Sequence, residues 1–496
     1  MTSKYASNTD HLFLQLPERT LGVYNAWDTY WTAKLVGPLL RQVERVGNLG
    51  YYTDIMEPLQ YAVIDMQKRG MLLDATALAR YRKKVKDEIN ECARTILAAD
   101  PTGKLAAPTG KSPNGIGSSR RLAHFLFTVL DLKATKRTET GMDSTDQESL
   151  YRLLRNLRKK DRHARPVLLA LFHRSRLRTI SQRYLNLEAD PDGRVRAKVK
   201  MYGTKTLRFS YSEPALQQFP PEARHIFRAS PGFVFLSVDY SQLEARILAH
   251  LSNDVLSIQP FQEGGDVHAA NARDLFGWTV SHWEGLLDEV RKSSRGFSKS
   301  FLFGISYGGE AETIKTKLYC PCPKCIKLMP DTLNLTRDQI AEAAARWFHR
   351  HPEVKRWHKE LLAEVQRTCR YTSPLGIVRH FSQPYGSELE REVKNAPMQT
   401  GAAILMNRAQ IQLHKIHAPV VLQMHDEFIL EVPVNEVDEW AKVTQDIMET
   451  PVPELNGVSF PTTVEVGETW GKMKSYTYPR TTSLSSPKRS TTSKPL

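Results

Sequence analysis

Residues 233–251 constrain the fold more than any other part of the chain. The segment 233–238 is an apolar run of aromatic and β-branched residues, of strand rather than helix length. Four branched apolar residues then follow at helical spacing: Leu243, Ile247, Leu248 and Leu251. Asp239 lies where the predicted strand ends, so its carboxylate can stay ionised and hold a hard cation. The simpler interpretation is a strand-to-helix corner capped by Asp239 or Ser241. That interpretation is favoured until the later motifs are considered.

A second motif lies on a predicted helix at residues 291–307. Arg295, Lys299 and Phe303 are spaced by four residues and form one stripe, with Tyr307 at its edge. An apolar stripe occupies roughly the opposite side, namely Phe297, Phe301 and Ile305. Two fixed cations match a polyphosphate, and a flat ring beyond them can stack on a base. Gly308 and Gly309 are expected to end the helix.

A third motif lies at the tip of a predicted β-hairpin. Residues 420–432 alternate like two strands that meet at a polar turn. An Asp at such a tip is usually only a turn residue. Here Asp426 is flanked by His425 and Glu427 on otherwise apolar strands, which is less usual.

The composition limits the possible partners. The chain has 496 residues, enough for two to four domains, and a formal net charge of +15. This excess favours a polyanionic partner, nucleic acid first and an anionic membrane second. No apolar run approaches the ~20 residues of a membrane helix, and the N-terminus lacks a signal-peptide core. We therefore expect a soluble, cytoplasmic protein with no membrane partner.

Residues 51–190 are predicted to be mostly helical and are strongly basic. One amphipathic helix should run from Glu57 to Gly70, and a second from Asp74, a plausible N-cap, to about Ala98. The clustered charges favour contact with a phosphate backbone over a merely solvated helix face. Residues 336–415 are also predicted to be helical, and residues 471–496, rich in Ser, Thr, Lys and Pro, to be disordered.

Three cysteines lie within six residues in the middle of the chain: Cys320, Cys322 and Cys325. They could form a zinc site completed by Cys369 or a histidine such as His349. Because no fourth ligand follows from the spacing, a zinc site and a plain reduced loop are equally compatible with the sequence.

Taken together, the motifs resemble the polymerase domain of A-family DNA polymerases, the DNA polymerase I type. The resemblance runs from about residue 51 to Trp470. It is carried by Asp239-Tyr-Ser-Gln-Leu-Glu244-Ala-Arg246, by the Arg295 to Tyr307 motif and by His425-Asp426-Glu427, with Asp266-Val-His268 between the first two. It implies an α+β right-hand fold whose palm contains an antiparallel sheet. The implied regions are a thumb at 51–190, a palm at 191–260 and 401–470, and fingers at 261–400 with an insertion near 315–335.

The resemblance also implies a chemistry. Asp239, Asp426 and the Tyr240 carbonyl would hold two Mg²⁺ ions, which would act on the primer 3′-hydroxyl and the triphosphate. Lys299 would donate a proton to the departing pyrophosphate. The other implied nucleotide contacts are Arg295, Lys299 and His268 on the triphosphate, Phe303 on the base, Tyr307 and Glu244 beside the sugar, and Gln242. The implied contacts with primer-template DNA are Arg208, Gln217, Arg391, Gln399, His425 and Arg246.

The sequence departs from the family pattern at several positions. Leu207 and Gln218 replace a glycine and an asparagine, and Gln399 is followed by Thr-Gly rather than Gly-Thr. Phe303, rather than a Tyr, at its position in the motif implies poor use of dideoxynucleotides. Within residues 1–50, Tyr24-x3-Asp28 resembles the last motif of the family's 3′–5′ exonuclease domain, but the earlier Asp-x-Glu motif is missing. We therefore expect an exonuclease remnant without proofreading, a possible separate exonuclease subunit, and a phage or bacterial origin.

Three other functions compete with a dNTP-incorporating polymerase. A single-subunit RNA polymerase shares the acidic pair and the Arg/Lys helix, but Glu244 beside the sugar argues against it. An inactive DNA-binding homologue is disfavoured because Asp239, Asp426 and Lys299 are all present. A nuclease with paired carboxylates would leave the Arg295 to Tyr307 stripe unexplained.

Overall fold

The structure is a computed structural model that describes residues 17–478, except 110–113, 156, 264, 312, 315–335 and 383–384. The Cys320, Cys322 and Cys325 cluster therefore lies outside the described residues. Within the described part, no helix is both long and apolar enough to cross a membrane.

The first part of the chain is helical, as expected. Its helices are α1 (Glu18–Arg45), α2 (Glu57–Arg69), α3 (Ala75–Ala98), α4 (Ser119–His124), α5 (Gln147–Arg155) and α6 (Arg165–Tyr184). The α2 helix ends at Gly70, whose φ of 59° suits glycine. Asp74 caps α3 by accepting a hydrogen bond of 2.8 Å from the Ala77 amide. Both predicted boundaries are confirmed.

The later helices surround a β-sheet. They are α7 (Leu243–Ser252), α8 (Val255–Gln262), α9 (Val267–Phe276), α10 (Val280–Gly285), α11 (Asp288–Ser306), α12 (Arg337–Arg350), α13 (Pro352–Thr368), α14 (Ser387–Lys415) and α15 (Val437–Met448). The α14 helix passes through the core, where Met398, Ile404 and Met406 are fully buried. The α11 helix buries Phe297, Phe301 and Ile305, so the predicted apolar stripe is confirmed.

The largest sheet has five strands in the order β12-β11-β6-β10-β9, all antiparallel. These strands are β6 (Phe233–Tyr240), β9 (Val420–Met424), β10 (Glu427–Pro433), β11 (Thr462–Gly467) and β12 (Lys474–Ser475). Apart from the exposed Phe233 at the start of β6, most hydrophobic side chains of β6, β9 and β10 are buried, because helices and neighbouring strands cover them. The sheet therefore joins two segments that lie far apart in sequence.

Shorter strands complete the fold. Three of them, β1 (Met71–Leu73), β2 (Arg194–Val195) and β5 (Phe227–Arg228), form a sheet in the order β2-β1-β5. Two antiparallel pairs are formed by β3 (Lys198–Lys200) with β4 (Ser210–Ser212), and by β7 (Arg370–Thr372) with β8 (Val378–His380). Two of these small sheets contact the main sheet, through the ion pair of Arg194 with Glu431 and the hydrogen bond from the Tyr211 hydroxyl to the Gln423 carbonyl.

Three local predictions were wrong, and the cap interpretation that the later motifs displaced is not seen either. The β6 strand continues through Asp239 to Tyr240 instead of ending before them. The residue before α7 is Gln242, with a φ of 57° and no side-chain cap, so neither Asp239 nor Ser241 caps the helix. The β7–β8 hairpin interrupts the region predicted to be helical. Residues 474–475 pair with β11, so the prediction of disorder is wrong for these two residues. The errors at β6, at β7–β8 and at residues 474–475 arise because strand pairing over a longer range overrides a local preference.

Candidate active site

Two acidic residues meet at one end of the main sheet. The β6 and β10 strands pair in a register that sets Glu427 opposite Asp239. The β9–β10 hairpin turns through His425 and Asp426, and His425 has a φ of 55°. The Asp426 carbonyl accepts a hydrogen bond of 3.0 Å from the Tyr240 amide, next to Asp239. Strand pairing therefore brings together Asp239 and Asp426, which are far apart in the chain.

The Asp239 carboxyl lies in an acidic environment. Burial, Glu427 and Asp426 raise its pKa to about 8, whereas Lys299 acts to lower it. Water still reaches one side of this residue, so protein surrounds the carboxyl without sealing it. Burial also raises the pKa of Glu427, which accepts a hydrogen bond of 2.5 Å from Ser237 Oγ. Crowded carboxyl groups of this kind would be stabilised by a divalent cation.

The donor set at this end of the sheet is small. In residues 17–478, apart from the gaps named above, no group of three or more His, Cys, Asp or Glu side chains is arranged to hold a metal ion. The candidate ligands are those that the family resemblance implies, namely the Asp239 and Asp426 carboxylates and the Tyr240 carbonyl. Their oxygen chemistry fits Mg²⁺, which usually keeps several waters and takes one or two carboxylates from the protein.

The α11 helix supplies the cations beside this acidic end. Lys299 is exposed and close enough to act electrostatically on both Asp239 and Glu244. Its Nζ lies 5.8 Å from the centre of the Phe303 ring. Arg295 forms an ion pair with Asp266, which also caps α9 through the His268 amide at 3.0 Å. The Asp266 carboxylate thus fixes Arg295 relative to the start of α9.

His268 occupies a different environment from the one expected of a triphosphate contact. Its ring lies 6.0 Å from that of Phe303, is fully buried, and has no hydrogen-bond partner on either nitrogen among the described residues. Burial and the nearby Arg295 lower its pKa to about 4. His268 is therefore neutral near pH 7, and a role as a cation toward phosphate is not supported by this placement.

Arg208 connects the sugar-side residues to the acidic pair. Tyr307 donates a hydrogen bond from its hydroxyl to Glu244, and Arg208 pairs with the other oxygen of Glu244. Arg208 also lies 3.4 Å from Asp426 Oδ1. Burial raises the pKa of Glu244, while Arg208 acts to lower it. The sequence motifs named all four residues but did not predict that Arg208 joins them.

Two predicted contacts with DNA or nucleotide are turned toward the protein. Arg246 is buried, donates hydrogen bonds to the carbonyls of Ser241 at 2.9 Å and Phe261 at 3.4 Å, and packs on the Phe261 ring. This placement does not support the prediction that Arg246 binds DNA, because its donors are used internally. Gln242 has a buried amide oxygen without a partner among the described residues.

The remaining predicted DNA contacts are partly exposed. Gln217 donates to the Phe209 carbonyl, and Arg391 donates to the Ser387 carbonyl at 3.2 Å. Gln399 is half-buried on α14. Burial and Arg208 lower the pKa of His425. Sequence reasoning gave no role to Glu427, although its position beside Asp426 was a signal that it faces Asp239.

Comparison with known proteins places this geometry in a family. The model of "DNA polymerase family A" matches residues 76–472. DNA polymerase I of Chloroflexus aurantiacus is 28% identical over 486 residues, which cover 93% of this chain and 47% of that protein. The thermostable DNA polymerase I of Thermus aquaticus is 28% identical over 450 residues, covering 85% and 48% respectively. The chain thus spans about half the length of these curated relatives.

A solved structure has the same fold. It is described as the POL domain of Pol1 from M. smegmatis in complex with DNA primer-template and dNTP. The match has a TM-score of 0.74 at 23% identity and covers 88% of this chain and 74% of that chain. The predicted α+β right-hand polymerase fold is therefore confirmed, and the chain belongs to DNA polymerase family A.

Proposed function

We propose that this protein is a template-directed DNA polymerase that adds dNMP to a primer 3′-hydroxyl and releases pyrophosphate. The observation that carries the proposal is the meeting of Asp239 and Asp426 beside the Lys299 side of α11. The names of the relatives and the DNA and dNTP bound to the structural neighbour support the same reaction.

Asp239, Asp426 and the Tyr240 carbonyl would hold two Mg²⁺ ions. Ions so placed stabilise the attacking and leaving oxygens of a phosphoryl transfer. The raised pKa of Asp239 supports this assignment. Neighbouring carboxylates repel each other when ionised, and a bound cation would offset that repulsion. The direct test is primer extension on a DNA template with Mg²⁺ and with EDTA. Extension that persists in EDTA would exclude the assignment.

The α11 side chains would bind the triphosphate. Lys299 can approach a phosphate without giving up a partner, since it forms no ion pair in the described part of the chain. Lys299 would then donate a proton to the leaving pyrophosphate. Asp266 orients Arg295 before the nucleotide binds. Arg295 would then exchange its ion pair with Asp266 for a phosphate oxygen. Phe303 offers an adjacent ring on which a base can stack.

The Tyr307–Glu244 pair is proposed to exclude a ribose 2′-hydroxyl. Glu244→Ala should remove one side of the proposed sugar pocket. The ratio of kcat/KM for an NTP to kcat/KM for the matching dNTP should then rise by roughly 10- to 100-fold. The measurement is single-nucleotide incorporation with each substrate. Glu289→Ala, an exposed carboxylate in the first turn of α11, is the control and should leave the ratio unchanged. A wild-type preference for NTP would instead favour the RNA polymerase alternative.

The raised pKa of Asp239 predicts a pH-dependent stability in EDTA. The carboxyl binds its proton more tightly when folded, at about 8 against a usual 3.8. Folding is therefore opposed increasingly as pH rises from ~4 to ~8. The difference in melting temperature between Asp239→Asn and wild type should therefore increase over this pH range. Because water reaches Asp239, the increase should be smaller than for a fully buried carboxyl. A difference independent of pH would contradict the assigned environment.

The finer assignments belong to the same proposal. Arg208, Gln217, Arg391, Gln399 and His425 would contact primer or template once DNA displaces their present partners. A separate exonuclease subunit and a phage or bacterial setting are consistent with the N-terminal sequence. The α1 helix does place Tyr24 beside Asp28, and a hydrogen bond between them raises the pKa of Tyr24. That contact supports the prediction that Tyr24 and Asp28 lie on one face of the helix. It is not by itself evidence for exonuclease activity.

A further inference from the structure

A polar cavity of about 290 Å³ lies on one side of α6 and shares no lining residue with the acidic end of the sheet. Two guanidinium groups and four hydroxyl groups line it: Arg174, Arg178, Ser119, Thr145, Ser175 and Thr179. Arg174 and Arg178 are four residues apart, as are Ser175 and Thr179, so consecutive turns of the helix face the same space. No carboxylate belongs to the lining among the described residues.

The two arginines are cations without a counter-ion. Neither forms an ion pair in the described part of the chain, and Arg174 Nε is a buried donor with no hydrogen-bond acceptor there. Burial and the adjacent charge of Arg178 lower the pKa of Arg174. Like charges four residues apart on a helix repel each other. The arrangement therefore costs stability unless an anion binds between the arginines.

Other charged residues nearby do have partners. Arg176, on the same helix, pairs with Glu222 at 2.5 Å. Asp146, beside the cavity residue Thr145, pairs with Lys136 at 3.0 Å and so does not neutralise the arginines. Among the described residues that line the cavity, no carboxylate therefore balances the charge of Arg174 and Arg178.

We propose that this cavity binds a phosphate group. Guanidinium forks match phosphate oxygens, and serine and threonine hydroxyls can donate further hydrogen bonds. Leu122 and Leu171 form an apolar part of the wall, whereas Arg178 and Thr179 are exposed, so an anion can enter from solvent. The phosphate could belong to a nucleic-acid backbone or to a free anion such as inorganic phosphate or pyrophosphate. The site is independent of the proposed polymerase reaction, because binding requires no turnover.

The test is titration of the full chain with inorganic phosphate at constant ionic strength, followed by calorimetry and thermal melting. Wild type should bind saturably, and Arg178→Gln should bind at least about tenfold more weakly because a charged hydrogen-bond donor is lost. Arg183→Gln removes an exposed arginine from the same helix outside the cavity and should match wild type. Arg178→Lys should keep part of the affinity. No binding by wild type, or equal losses in Arg178→Gln and Arg183→Gln, would overturn the proposal.

A second experiment distinguishes the sources of the phosphate. Affinity for a short DNA duplex is measured by anisotropy, with inorganic phosphate as competitor. A larger loss for Arg178→Gln than for Arg183→Gln, with competition, assigns the cavity to backbone phosphate. Equal duplex affinities alongside a selective loss of phosphate binding assign it to a free anion. If Arg178→Gln does not fold, Thr179→Val replaces it, since Thr179 is exposed and lines the same cavity.

Discussion

Primer extension by Asp426→Asn should be slower than by wild type by at least about 10³-fold, the equivalent of several kcal/mol. Asparagine has nearly the same shape and leaves the Asp426 carbonyl free to accept from the Tyr240 amide, so the hairpin turn should persist. The substitution removes one negative charge from the proposed cation site. It also removes one partner of Arg208, which keeps its pairing with Glu244.

The measurement is single-turnover incorporation of a dNTP, with DNA affinity determined separately by anisotropy. Asp446→Asn changes the same functional groups at an exposed position of α15 and should retain wild-type activity. An Asp426→Asn variant that extends primers at the wild-type rate would remove Asp426 from the mechanism. Loss of DNA binding together with activity would instead indicate a positioning role.

Glu431→Ala should lower the free energy of unfolding by about 3 kcal/mol. Glu431 lies on β10 with a nearly buried side chain and pairs with Arg194 of β2 at 2.8 Å. It also accepts a hydrogen bond of 2.7 Å from the Ser230 amide. These contacts join the small β2-β1-β5 sheet to the main sheet. Removing the carboxylate leaves the half-buried Arg194 guanidinium without its charge partner.

The matched control is Glu454→Ala. The Arg408–Glu454 pair has the same separation of 2.8 Å, but both of its side chains are 33% exposed, against 20% and 7% for Arg194 and Glu431. Water screens such a pair, so we expect a loss below about 1 kcal/mol. Urea unfolding of both variants decides the comparison. Equal losses would show that burial does not determine the strength of the β2–β10 contact.

The effect of Glu431 should also depend on pH. Burial acts to raise its pKa, but the contacts with Arg194 and Ser230 outweigh burial and lower it below 4.5. Because the folded state binds the proton less tightly, the stabilisation is present above the usual pKa and is lost as pH falls through the folded value. The stability difference between wild type and Glu431→Ala should therefore shrink in acid.

Local signals in the sequence predicted the local structure well. Helical periodicity and residues with strong positional preferences predicted α2, α3 and α11, including the stop at Gly70 and the cap at Asp74. Alternation predicted the hairpin that carries Asp426. Such signals succeed because they depend on hydrogen bonds and side-chain contacts within a few residues. Family motifs then named most of the candidate site.

The tertiary structure decided which of these residues meet. The sequence alone determined that Asp239 and Asp426 lie next to apolar strand segments, but only the β6–β10 register brings them together. The sequence also determined that Arg208 and Arg246 are cations. Packing then paired Arg208 with Glu244 and Asp426, and it turned Arg246 inward. The sequence could not predict the β7–β8 pair or β12, because strand pairing depends on partners that folding supplies. A side chain's type follows from the sequence, whereas its neighbours, and hence its charge state and role, follow from contacts between distant segments.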